Sequence, residues 1–192
     1  MRVIAYVAFL ACMAAQAAQA GVTQQTSYRP FIVHGKTAKA IYNSVVSHSQ
    51  RKGKFRTYAT TDVSLRPKLQ LVVRPKCKVN DVIIDARFAI HLPQLANESA
   101  LPASLRADWQ DFANKLKRHE EHHRDIWLGC AADLVSTATS IAASDCNTFA
   151  REFKSRIKAT NKSCRAKNEA FDEQAQGELP SIPFIRRALL GR

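Results

Sequence analysis

The sequence predicts an α+β fold: a small antiparallel sheet with an N-terminal helix, followed by two long helices. Three observations predict it. Alternating β-branched and aromatic residues concentrate before Leu101. After it Gly and Pro thin out, with no Gly between Ser104 and Gly129 and no Pro until Pro180. Finally, 46% apolar and 23% charged residues over 192 positions suit a globular chain rather than a disordered one, and six Gly and seven Pro exclude collagen-like and low-complexity classes.

Residues 1–20 read as a secretory signal peptide. Arg2 gives a short positive start, residues 3–15 are unbroken apolar, and Ala18-Gln19-Ala20 offers a small-x-small cleavage site. Thirteen apolar residues are too few for a bilayer about 30 Å thick. The mature chain is then exported, periplasmic or secreted. Its domain is expected over 21–178, with 179–192 as a tail that either packs back or extends free.

The elements follow in order. Phe31-Ile32-Val33 is a short strand before the turn at His34-Gly35. Residues 37–46 have helical spacing, with Ile41, Val45 and Val46 on one side. Residues 50–54 form a basic break. Strands are expected over 56–65, 68–73 and 80–92, separated at Arg66-Pro67 and Arg74-Pro75. Short connections favour an antiparallel meander. One helix spans 104–136 and reaches 141 at most; a second spans 145–174, with Ser144 or Asp145 as its N-cap.

Once Cys12 is removed with the leader, Cys77, Cys130, Cys146 and Cys164 remain. An even count in an exported chain suggests two disulfides. The expected pairing is Cys146–Cys164 with Cys77–Cys130. No C-x-x-C pair supports a four-thiolate zinc site.

The first long helix carries the chemistry. Leu105, Trp109, Phe112, Leu116, Trp127, Cys130 and Leu134 recur in steps of three and four and define a buried stripe. His123 falls inside the stripe, His119 and Glu120 lie on its two edges, and Glu121 and His122 turn away. His119-Glu120-Glu121-His122-His123 contains H-E-x-x-H. On a helix, imidazoles at i and i+4 can share one metal ion, while the intervening Glu holds a water and takes its proton. The bland alternative is a polar helix segment whose histidines are hydrogen-bonded. A His119/His122 pair would face away from the core.

The order of a β-rich half, Lys76-Cys77-Lys78-Val79, Leu92-Pro93, Trp109-x-x-Phe112 and H-E-x-x-H resembles the bacterial secreted zinc-dependent protease-like family catalogued as domain of unknown function 922. The resemblance runs from about Tyr28 to Gly177. It implies a zincin-like active-site helix, zinc as cofactor, His119 and His123 as metal ligands, Glu120 as general base, and a peptide or protein substrate. The family's downstream Tyr-Asp-x-x-Thr-x-His-Gly segment reads Phe171-Asp172-Glu173-Gln174-Ala175-Gln176-Gly177 here: the Asp is kept, the Thr and His are not. No His follows His123. A third ligand must come from Asp172, favoured, from Glu169 or Glu173, or from His34, His48 or His91.

The formal charge is +13. Arg151, Lys154, Lys158, Lys162 and Arg165 fall on one helical stripe, which suits an anionic envelope polymer or lipid surface as partner, or simply a solvated face. Nucleic acid is not expected, since aromatics do not interleave with the cations. No G-x-S-x-G, P-loop or dinucleotide fingerprint is present. The reading is an exported zinc metallopeptidase-like protein; the alternative is a degenerate, non-catalytic zincin scaffold that holds anionic envelope components.

Overall fold

The computed structural model describes residues 21–52 and 55–191, so the leader and Cys12 lie outside the described residues. The elements are β1 (Val22–Val33), α1 (Ala38–His48), β2 (Gln50–Lys52), β3 (Phe55–Thr57), β4 (Thr60–Val72), β5 (Cys77–Leu95), α2 (Ala103–Ser140), β6 (Ala142–Ala143), α3 (Cys146–Gln176) and α4 (Pro183–Leu190).

The class is α+β, as the sequence predicts, but the sheet is mixed rather than antiparallel. β5 is central, parallel to β1 and antiparallel to β4. β4 and β5 are joined by a short connection and pair antiparallel, as expected. β1 pairs parallel to β5, which follows it only after α1 and three intervening strands. β1 is also far longer than the three-residue strand expected. Its first half, Thr23 to Ser27, is polar and lies on an edge with β5 as its sheet neighbour, so it lacks the apolar run of a buried strand. The two runs expected on either side of Arg66-Pro67 form one strand, β4. Pro67 is tolerated there because β4 is also an edge, with ladder partners on one side only. β2 and β3 pair as a separate ribbon.

α1 begins where Thr37 accepts a hydrogen bond from the Ala40 backbone N–H (3.2 Å). Gly35, at φ +153, permits that start: a Cβ there would lie 2.5 Å from the Ile41 nitrogen. Asp145 is the N-cap of α3 and accepts from the N–H groups of Asn147 (2.9 Å) and Thr148 (3.0 Å). The Thr148 N–H first, then the Thr148 and Ser144 hydroxyls and the Asn147 N–H, hold its carboxyl at about 2, below its ordinary 3.8.

Two apolar cores lie along α2. The first joins Leu105, Trp109, Phe112 and Leu116 to α1 and to the C-terminal segment. That segment packs back: Phe184 of α4 is fully buried, stacked on Phe112 (4.9 Å between centroids) and edge-on to Trp109 (5.3 Å). The second core joins Ala131, Leu134 and Ala138 to β5 and to Phe149 and Phe153 of α3. Between the two cores, α2 buries Glu120 and His123, both polar. No helix among the described residues is long and apolar enough to cross a membrane.

Both disulfides differ from the expected pairing: Cys77 bonds Cys146, and Cys130 bonds Cys164. Cys146 and Cys164 sit on one continuous helix. At about 1.5 Å per residue they are about 27 Å apart, far beyond a disulfide's reach. Cys146 instead follows β6, which pairs with β5 at Cys77. The paired Cα atoms are 5.1 Å apart there and 6.3 Å apart at Cys130–Cys164. Two disulfides fit an oxidising compartment outside the cytosol.

Candidate metal centre

α2 crosses the sheet where Tyr28, Ile90 and Thr61 stand in register on β1, β5 and β4. Ile90 is fully buried. Thr61 reaches Glu120, its hydroxyl 2.8 Å from Oε2 and 3.1 Å from the backbone carbonyl. Tyr28 donates to Glu121 Oε1 at 2.6 Å, and this bond raises the phenol pKa. The helix is thus pinned within the motif to both edge strands of the sheet, β1 and β4.

His119 and His123 point toward α3. Their Nε2 atoms are 3.0 Å apart, and Asp172 Oδ1 lies 3.1 Å from the first and 2.9 Å from the second. A tetrahedral ion with bonds of about 2.0–2.1 Å spaces neighbouring ligand atoms by about 3.3 Å. The observed triangle is within a few tenths of an ångström of that. Its chemistry also fits a cation. Asn168 Nδ2 donates to the Cys164 carbonyl (2.7 Å), which leaves Oδ1 to accept from His123 Nδ1 at 2.6 Å. In neutral His123 the proton is therefore on Nδ1 and the Nε2 lone pair faces Asp172. Acceptor atoms this close repel unless a proton or a metal ion lies among them. Burial works against a charge on His123, but the hydrogen bonds to Asp172 and Asn168 and the carboxylates of Asp172 and Glu120 outweigh it, and its pKa is raised.

Glu120 is 4% exposed. One of its carboxylate oxygens and one ring nitrogen from each histidine lie within 4.8 Å of one another. Two carboxylates therefore border the imidazole pair. Asp172 is in direct contact with both rings, whereas Glu120 Oε2 is held by Thr61. Burial raises the Glu120 pKa, and donation from Thr61 opposes the rise.

The other candidates for a third ligand are elsewhere. Glu169 and Glu173 are exposed. His91 pairs with Asp62 (3.1 Å), His48 lies against Phe31, and His34 is exposed. His122 is exposed and tilts against Phe171 (4.2 Å between centroids). The Phe171 ring stacks on His119 (4.6 Å) and meets His123 edge-on (5.2 Å). Sequence reasoning missed Thr61, Asn168 and Phe171. Cys164, Asn168 and Asp172 recur at steps of four, so a row shared with a suspected ligand was a usable signal for Asn168.

The model of the family described as Bacterial protein of unknown function (DUF922) matches residues 28–178. The chain belongs to this family. No curated protein and no solved structure matches it. The matched span ends just before the segment containing α4, so the helix whose Phe184 completes the first core lies beyond it.

Proposed function

We propose that this is an exported zinc metallopeptidase-like protein in which His119, His123 and Asp172 hold the metal and Glu120 activates water. The observation that carries this reading is the convergence of three lone-pair atoms from two helices beside a buried carboxylate. Bound zinc would supply Lewis acidity, polarising a scissile carbonyl and lowering the pKa of water toward neutrality. With the metal held, Glu120 would take a proton from the attacking water and return it to the departing amine. A carboxylate whose pKa is raised by burial suits both halves of that transfer. Thr61 keeps the carboxylate oriented, and Phe171 covers the imidazoles.

The test is hydrolysis of a quenched-fluorescent peptide library by zinc-loaded protein. Glu120→Gln is expected to retain zinc and lose about 10²–10⁴-fold in rate. Zinc-loaded wild type that cleaves nothing would contradict the peptidase reading.

A second reading, a non-catalytic scaffold, draws on the α3 stripe. Arg151, Lys154, Lys158, Lys162 and Arg165 are all exposed, while Glu152 is paired with Arg156 off the stripe. Such a face suits an anionic envelope polymer or lipid surface. Salt-sensitive binding to anionic vesicles or polymer, lost on replacing the five cations with Gln, would support it.

A further inference from the structure

The two ends of α3 are held in different ways. Phe149, Phe153 and Ile157 pack into the second core, and no α3 residue beyond Ile157 belongs to either core. In that C-terminal half the buried residues are Cys164 and Asn168. Asp172 thus reaches the imidazoles from a helix end that has no apolar anchor in the cores.

What replaces the anchor is a ladder between antiparallel helices. Cys130 of α2 bonds Cys164, His123 meets Asn168, and His119 and His123 meet Asp172. On α3 the rungs fall at Cys164, Asn168 and Asp172, one helical row. Asn168 is 5% exposed and both ends of its amide are used. Turning that amide over would place its NH2 against His123 Nδ1 and move the ring proton to Nε2, which closes the lone pair that faces Asp172.

We propose that Asn168 is the positioning residue of the metal centre, and that the Cys130–Cys164 disulfide anchors it in register with His123. The role toward metal rests on the reading that His119, His123 and Asp172 hold a divalent cation; the role toward the His123 ring does not. Asn168 fixes which nitrogen of His123 carries the proton, and the disulfide fixes where Asn168 stands.

The experiment measures zinc affinity by chelator competition on oxidised protein, together with nitrogen NMR of the His123 ring in the metal-free protein under alkaline conditions. Asn168→Leu should weaken zinc about 10–100-fold and move the ring toward the Nε2–H form. Asn168→Asp keeps the acceptor toward Nδ1 but loses the donor to the Cys164 carbonyl, so it should restore the Nδ1–H form of the ring. Replacing Cys130 and Cys164 with Ala should weaken zinc about tenfold or more, while replacing Cys77 and Cys146 should leave affinity near wild type. Should the Cys130/Cys164 variant not fold, Asn168→Leu and the ring signal decide. An Asn168→Leu protein with wild-type affinity and an unshifted His123 ring overturns the proposal, as does equal weakening by loss of either disulfide. Wild type that binds no zinc contradicts the metal reading, and the ring signal then decides the role of Asn168 alone.

Discussion

The N-terminal and C-terminal halves of α3 share one helix and differ in what holds them. The first half presents Phe149 and Phe153 to a sheet-side core, as an ordinary amphipathic helix does. The second presents a disulfide, an amide, a ring and a carboxylate to the motif face of α2. Apolar burial is tolerant in register; hydrogen bonds and a disulfide are not. A helix that must deliver one oxygen to two imidazoles gains from the second kind of contact.

Opening each disulfide should break this comparison most strongly. In the chain-entropy account, loops of 69 and 34 residues correspond to about 4.4 and about 3.8 kcal/mol. Denaturant unfolding of the two double-Ala variants should thus show similar losses, whereas zinc affinity should fall in the Cys130/Cys164 variant only. Next come the aromatics. Phe149→Ala, in the core half, is expected to lower stability by about 3–5 kcal/mol. The half-buried ring of Phe171 should contribute less, about 1–2 kcal/mol, with a loss of zinc affinity that Phe149→Ala does not share in the folded protein.

The smallest effect concerns the cap at the start of α3. The Asp145 carboxyl lies at about 2 in the folded chain against an ordinary 3.8. A depressed carboxyl stabilises the fold above its unfolded value, and that contribution fades as pH falls toward the folded one. Thermal unfolding of wild type and Asp145→Asn should therefore differ at neutral pH and converge between about pH 4 and pH 2. A difference that persists at pH 2 would show that the cap acts through something other than its charge.

The long helices were legible because their signals are local. Stretches free of Pro, with Gly129 the single Gly between them and apolar steps of three and four, extend to Ala103–Ser140 and Cys146–Gln176, and Asp145 caps as its side chain suggests. The direction in which His119 and His123 point was legible from the same periodicity. What depends on distant contacts was not. The polar half of β1 is a strand because β5 offers it a ladder, the Cys77–Cys146 pair depends on β6 joining β5, and the Cys130–Cys164 pair depends on how α3 lies against α2. Thr61 is one of several threonines in a β-rich run, and its value lies in which helix happens to cross it. Asp172 could be nominated from the family resemblance, but its contact with both rings depends on how α3 is registered against α2, which a single sequence does not encode locally.

The most direct test of the metal centre is zinc stoichiometry and affinity at neutral pH in oxidised wild type, His119→Ala and Asp172→Ala. The account predicts one zinc per wild-type chain and a loss of more than about tenfold in each variant, since changing even a supporting residue behind a ligand costs 10–100-fold. Wild-type affinity in Asp172→Ala, with the fold intact, would contradict it.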